Sequence, residues 1–209
     1  MTQLDGTSRP YLSPKRGAKA AETRGRLIDA AKALLRDRGS VALSLEAVAT
    51  AAGVTRLTVY NQFGSRRGLL EAAFDTLAAA GGMNDLPQAM AMAEPRDALS
   101  RLVNVFCGFW GSDESLAGLY AAAAADIELA ESLVARNARR RELLAVLVRR
   151  FGRRDENAQR DVVDVLFALT SFAMFQALAV GGRKSEAICA LLQPLCDQAL
   201  AGVADGVLR

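Results

Sequence analysis

Arg56, Leu57, Thr58, Tyr60 and Asn61 fall within six consecutive residues. Four of the five carry hydrogen-bonding groups, whereas the inward positions Val59 and Phe63 are apolar. A short helix with that pattern presents donors and acceptors on one face and packs on the other. Such a face suits the base edges and phosphates of a duplex, and Arg56 is the side chain able to contact guanine bidentately. The residues before it supply the positioning. Ser44 can cap a helix whose inward positions are Leu45, Val48 and Ala49. Gly53 follows its last turn, where positive φ is needed and glycine adopts it without a Cβ clash. Val54 fills the corner, Thr55 can cap the second helix, and a larger residue than Ala49 would push the two helices apart. The spacing of Ala49, Gly53 and Val59 meets the demands of a helix-turn-helix, whose second helix enters the major groove. A plain αα-hairpin without DNA contact is the rival reading.

Composition removes several chemistries. The chain has 209 residues and no histidine. Ser-His-Asp and Cys-His catalysis, His-ligated zinc and a histidine pH switch are therefore excluded. Cys107, Cys189 and Cys196 lack C-x-x-C spacing. Cys189 and Cys196 lie two helical turns apart, about 10 Å along the axis, too far for a bridge. They read as buried structural thiols, with redox sensing the minor alternative. No metal site, cofactor or enzymatic activity is expected. The net charge of +3 hides an asymmetry: residues 1–80 carry +5 and the rest −2. Positive charge thus gathers around the helix-turn-helix, where phosphates would be neutralised. No run reaches the ~18 apolar residues of a membrane span. The N-terminus has no apolar leader segment, so a cytoplasmic location is expected.

The spacing predicts an all-α chain. Residues 1–21, with Arg9, Lys15, Arg16 and Lys19, read as a flexible basic arm able to follow a DNA groove or remain solvated. Residues 22–80 form a helix-turn-helix domain, the motif itself spanning about 44–63. Its first helix runs Glu22–Arg38, and its fourth runs Arg66 to about Ala80 with Leu69, Leu70, Ala73, Phe74 and Leu77 inward. Gly81, Gly82 and Pro87 mark a joint. Residues 81–209 form a second helical domain. Its helices are predicted from Pro95 to Trp110, Ser115 to Ala125, Ile127 to Phe151, Val162 to Val180 and Glu186 to about Val203. The Val162–Val180 helix is apolar nearly all round and must be buried on several sides. Pairing it and the last helix with their copies gives a homodimer through a four-helix interface.

These residues resemble the TetR family of transcriptional regulators. The match runs Leu45-x-x-Val48-Ala49-x-x-Ala52-Gly53-Val54-Thr55, then Thr58-Val59-Tyr60-x-x-Phe63-x-Ser65-Arg66-x-x-Leu69-Leu70. Beyond it the likeness is one of length and helical pattern. Leu57 stands where the family has a small residue, and Gln62 where it has an aromatic or histidine. Leu57 can reach a thymine methyl, so the operator would differ from better-known ones. The resemblance implies an N-terminal three-helix helix-turn-helix domain and a C-terminal helical ligand-binding and dimerisation domain. It implies DNA contact by Ser44, Thr55, Arg56, Leu57, Thr58, Tyr60, Asn61 and Arg66, with Tyr60 and Arg66 on phosphates. It also implies a repressor on a near-palindromic double-stranded DNA operator, released by a small-molecule effector that is largely apolar. Phe106, Trp110, Tyr120, Phe172, Met174, Phe175 and Gln176 are the candidate effector contacts. The cluster Arg136, Arg139, Arg140, Arg141, Arg149, Arg150, Arg153 and Arg154 reads as a solvated face partly paired with Glu131, Glu142, Asp155 and Glu156. A second nucleic-acid surface, or one arginine holding an anionic ligand, is the weaker alternative. The rival functions are an activator or nucleoid-type binder without effector, and a helical small-molecule-binding protein without DNA binding.

Overall fold

Helix caps written into the sequence fix the N-terminal head. The computed structural model describes residues 14–38, 43–152 and 155–204. α1 (Pro14–Arg38) precedes α2 (Leu45–Ala52), α3 (Arg56–Phe63) and α4 (Arg66–Ala80). Ser44, Thr55 and Ser65 cap the last three, each accepting a bond from a backbone N–H three residues on. Gly53 adopts φ +66°, and the N–H of Val54 closes the turn onto the Ala49 carbonyl at 2.9 Å. Val48, Ala49 and Val59 are buried against Leu27, Ala31 and Leu35 of α1.

The predicted arm is corrected in part. α1 begins at Pro14, so residues 14–21 are helical. Proline is tolerated in a first turn, and the exposed Ala18, Ala20 and Ala21 continue by propensity without packing. Residues 1–13 of the arm, and with them Arg9, lie outside the described residues.

The body contains a 3-10 turn (Met83–Asp85), α5 (Leu86–Ala91), α6 (Pro95–Trp110), α7 (Ser115–Ala123), α8 (Ile127–Arg149), α9 (Glu156–Leu169), α10 (Phe172–Leu178) and α11 (Ser185–Ala204). No strand occurs among the described residues. Among the described residues no single helix is long and apolar enough to cross a membrane. α6 is the axis, burying Leu99, Leu102, Val103, Phe106, Phe109 and Trp110.

One predicted element is two. The helix expected over Val162–Val180 breaks after Leu169 and bends by 50° into α10. Ser171 has an extended backbone and its hydroxyl accepts from the Met174 N–H at 3.1 Å, so it starts a new helix. The carbonyls freed at the break are filled from other helices. Trp110 Nε1 donates to Thr170 O at 3.0 Å, and Arg140 Nη1 donates to Phe167 O at 3.1 Å.

Head and body share a continuous hydrophobic core, carried across the junction by Phe74 and Leu77 of α4. The Phe74 ring meets the edge of Phe109 at 5.7 Å. Ion pairs reinforce the junction: Lys32–Asp113 at 2.8 Å, Asp75–Arg136 at 2.7 Å, and Arg66 with Asp126. α1 and α7 cross at Gly118, where a Cβ would stand 2.1 Å from the Leu35 carbonyl oxygen.

Candidate nucleic-acid interface and effector cavity

α3 turns one face entirely to solvent. Val59 is fully buried, while Arg56, Leu57, Tyr60 and Asn61 are exposed, Leu57 by 65% and Tyr60 by 54%. Two large side chains are thus left in water on a helix of eight residues. Thr58 is half-buried, and its hydroxyl shares a 2.9 Å hydrogen bond with that of the capping Thr55. The C-terminal end of α3 is clamped by Arg24 of α1, which donates to Gln62 O at 2.7 Å and lies over the Phe63 ring at 4.4 Å. The face is therefore rigidly mounted.

Arg66 points elsewhere. Its Nε donates to Leu43 O at 2.7 Å and its guanidinium pairs with Asp126, the residue that caps α8. These bonds tie α4 to the body. Ser44 is exposed, and its hydroxyl is spent on the Ala47 N–H.

The body holds two cavities on either side of Trp110. One, of about 280 Å³, lies between α4, α6 and α8. Its apolar walls include Phe74, Phe106, Phe109 and Trp110, with Tyr120 beside them; Arg136, Asn137, Arg139 and Arg140 supply its polar groups. The other, about 560 Å³, is more open and more polar. Phe172, Phe175 and Gln176 line it with Asp113, Glu114, Arg183, Lys184 and Glu186. The Tyr120 and Phe172 rings stack at 4.3 Å, and Trp110 contacts both. Burial pushes the Tyr120 phenol up to about 12, against the opposing pull of Arg140 and Arg136. Burial also brings the Arg140 guanidinium down to about 10.

A family model for bacterial regulatory proteins of the tetR family matches residues 27–73. The chain is 45% identical over 58 residues to the HTH-type transcriptional regulator AlkX of Mycobacterium tuberculosis. Residues 27–73 thus carry a tetR-type helix-turn-helix. The AlkX match spans 28% of this chain and 28% of that relative. The whole chain resembles a TetR-like transcriptional regulator from Rhodococcus sp. RHA1 (23% identity, TM-score 0.67, covering 87% of this chain and 97% of that one). It also resembles a transcriptional regulator from Saccharomonospora viridis in complex with choline (15% identity, TM-score 0.60, covering 85% and 96%).

Within this TetR fold the predicted effector residues divide. Phe106, Trp110 and Tyr120 line the smaller cavity, and Trp110, Phe172, Phe175 and Gln176 the larger. Met174 lines neither and packs partly buried against the core. The arginine cluster is not a uniformly solvated face. Arg136 pairs with Asp75 and Arg141 with Asp164. Arg150 binds the carbonyls of Met90, Met92 and Ala93 at the end of α5. Arg140 is 7% exposed. The partners lie on other helices because α8 is packed between α4, α7 and α9, out of reach of local carboxylates. Arg153 and Arg154 lie outside the described residues. Sequence reasoning missed Arg140 as a buried residue, although it falls in phase with the inward stripe Leu129, Leu133, Leu144 and Leu147.

The three cysteines are free and buried. Cys189 Sγ donates to Asn104 Oδ1 at 2.8 Å, tying α11 to α6. A bond from Cys107 brings the Cys189 thiol down to about 7, and burial pushes Cys196 up to about 12.

Proposed function

We propose that this chain is a ligand-responsive one-component transcriptional regulator, acting as a repressor. It binds a near-palindromic double-stranded DNA operator as a homodimer and is released by a small-molecule effector. The observation carrying the reading is the α3 face, where Arg56, Leu57, Tyr60 and Asn61 are exposed over a fully buried Val59. Arg56 offers guanine a bidentate donor pair and Leu57 offers a thymine methyl an apolar partner. Dyad symmetry puts two such faces roughly 34–36 Å apart, or a multiple of that, on one side of the duplex.

Effector control is supported by the two body cavities and by the choline held in the Saccharomonospora viridis neighbour. A ligand shifts the population only by favouring one subunit arrangement over the other. α4 is the element able to report it, because Phe74 lines the smaller cavity while Ser65 and Arg66 begin the same helix beside α3.

Selection of bound sequences from a random duplex library, at a fixed salt concentration, tests the reading. A palindrome should be enriched. Arg56→Ala should relax the preference by about tenfold at one position of each half-site, since a bidentate pair contributes ~1–3 kcal/mol of discrimination. Uniform, salt-sensitive binding without enrichment would instead favour a nucleoid-type protein.

A further inference from the structure

The smaller cavity is lined by three arginines and, among the described residues, by no Asp or Glu. Arg136 is neutralised by Asp75, and Arg139 is exposed at the rim. Arg140 is different. It is 7% exposed, and no carboxylate pairs with it among the described residues. Its Nη1 donates to neutral oxygens, Phe167 O and Thr170 Oγ1, and its Nη2 reaches Asn137 Oδ1 at 3.5 Å. Nε, fully buried, has no partner. The Phe167 and Phe106 rings flank the guanidinium at 4.0 and 5.7 Å.

A guanidinium held in an apolar site without a counter-ion is an unfavourable arrangement that a bound anion relieves. One buried unpaired cation suits a monoanion, and the planar guanidinium fork matches a carboxylate. The remaining walls are aromatic, and about 280 Å³ lies at the small end of ligand sites. We propose that this cavity binds a small organic monocarboxylate, its anionic group at Arg140 and Asn137 and its apolar tail against Phe106, Phe109 and Trp110. The proposal rests on the reading of the body as an effector domain and names the chemical class of that effector. It also supplies a route outward. A carboxylate competes for Arg140 with the carbonyl end of α9, and Arg136 beside it is paired with α4.

Trp110 is the only tryptophan in the chain and lines the cavity, so its emission reports occupancy. The full-length protein is titrated with octanoate and 4-phenylbutyrate, and with 1-octanol and 4-phenylbutan-1-ol as neutral counterparts, at one pH and salt concentration. At least one acid should bind about tenfold or more tightly than its alcohol, as expected for a charge-assisted pair. Asn137→Asp keeps the side-chain shape and puts an internal carboxylate beside Arg140. It should weaken the acid by about tenfold, bringing it toward its alcohol's affinity, and not lower the melting temperature. Arg140→Gln should also abolish the preference, and Asn137→Asp serves where loss of Arg140 unfolds α9. Equal affinities for acid and alcohol, unchanged acid binding in Asn137→Asp, or no saturable binding of either acid each overturn the proposal. The same acids are added to the complex with a selected duplex. Saturable acid binding that leaves the duplex bound would sink effector control while the carboxylate site stands.

Discussion

Asp113 joins three elements through one carboxylate. Oδ2 accepts from Lys32 of α1 at 2.8 Å, Arg36 approaches Oδ1 at 3.6 Å, and Oδ1 accepts from the Ser115 N–H and hydroxyl at 2.9 and 2.6 Å. Burial alone would raise this carboxyl, but the bonds from Lys32 and Ser115 prevail and hold it down to about 2 from 3.8. Because the folded value is the lower, the stabilisation is complete above pH ~4 and is lost as pH falls from there toward 2. The shift corresponds to about 2 kcal/mol. Urea unfolding of wild type and Asp113→Asn across pH 6 to 2 should show a gap of about that size near neutrality, closing at the acid end. A gap that stays constant with pH would show that Asp113 acts by shape and not by charge.

At the scale of helices, the junction between head and body depends on how closely α1 and α7 approach. Gly118 lets the backbones cross, since a Cβ there would stand 2.1 Å from Leu35 O and 2.7 Å from its carbonyl carbon. Both contacts are backbone, so no side chain can swing away. Gly118→Ala should therefore lower stability by about 1–3 kcal/mol despite alanine's better helix propensity, the usual cost of overpacking. A raised melting temperature would show that α1 can shift freely. This crossing was invisible in the sequence, because a glycine in a small-residue helix looks the same whether or not another backbone touches it. What could be read were features fixed locally. Ser44, Gly53, Thr55, Ser65 and Pro95 mark helix ends that the structure reproduces. The break at Thr170–Ser171 was hidden by its apolar flanks, since Ser171 caps α10 in a run that otherwise continues a helix. Arg140 was misread because charge outweighed phase, although its position on the inward stripe pointed to burial. The exposed face of α3 was legible because Arg56, Tyr60 and Asn61 surround a single buried valine, Val59.

For the whole molecule, the proposed mechanism needs two copies, and the last helices carry an exposed apolar stripe. On α11, Ala187, Ala190, Leu191, Pro194 and Leu195 are exposed along one face, Leu191 by 44% and Leu195 by 46%. α9 packs beside it and adds Val165, 41% exposed. Opposite faces of the same helices bury Leu192, Cys196, Leu200, Val162 and Leu166. The outer stripe thus contributes little to the protomer's own fold and costs solvation when left in water. Leu191→Lys with Leu195→Lys should convert a dimer in sedimentation analysis to a monomer, with helical content unchanged. Two linked heads gain from effective concentration, so the variant should bind a two-half-site operator at least ~100-fold more weakly and a single half-site as wild type does. Its DNA binding should also cease to respond to any effector, because half-site spacing is a property only the dimer possesses. A double variant that remains dimeric would move the interface to another face, with exposed Val134 of α8 the next apolar surface to test.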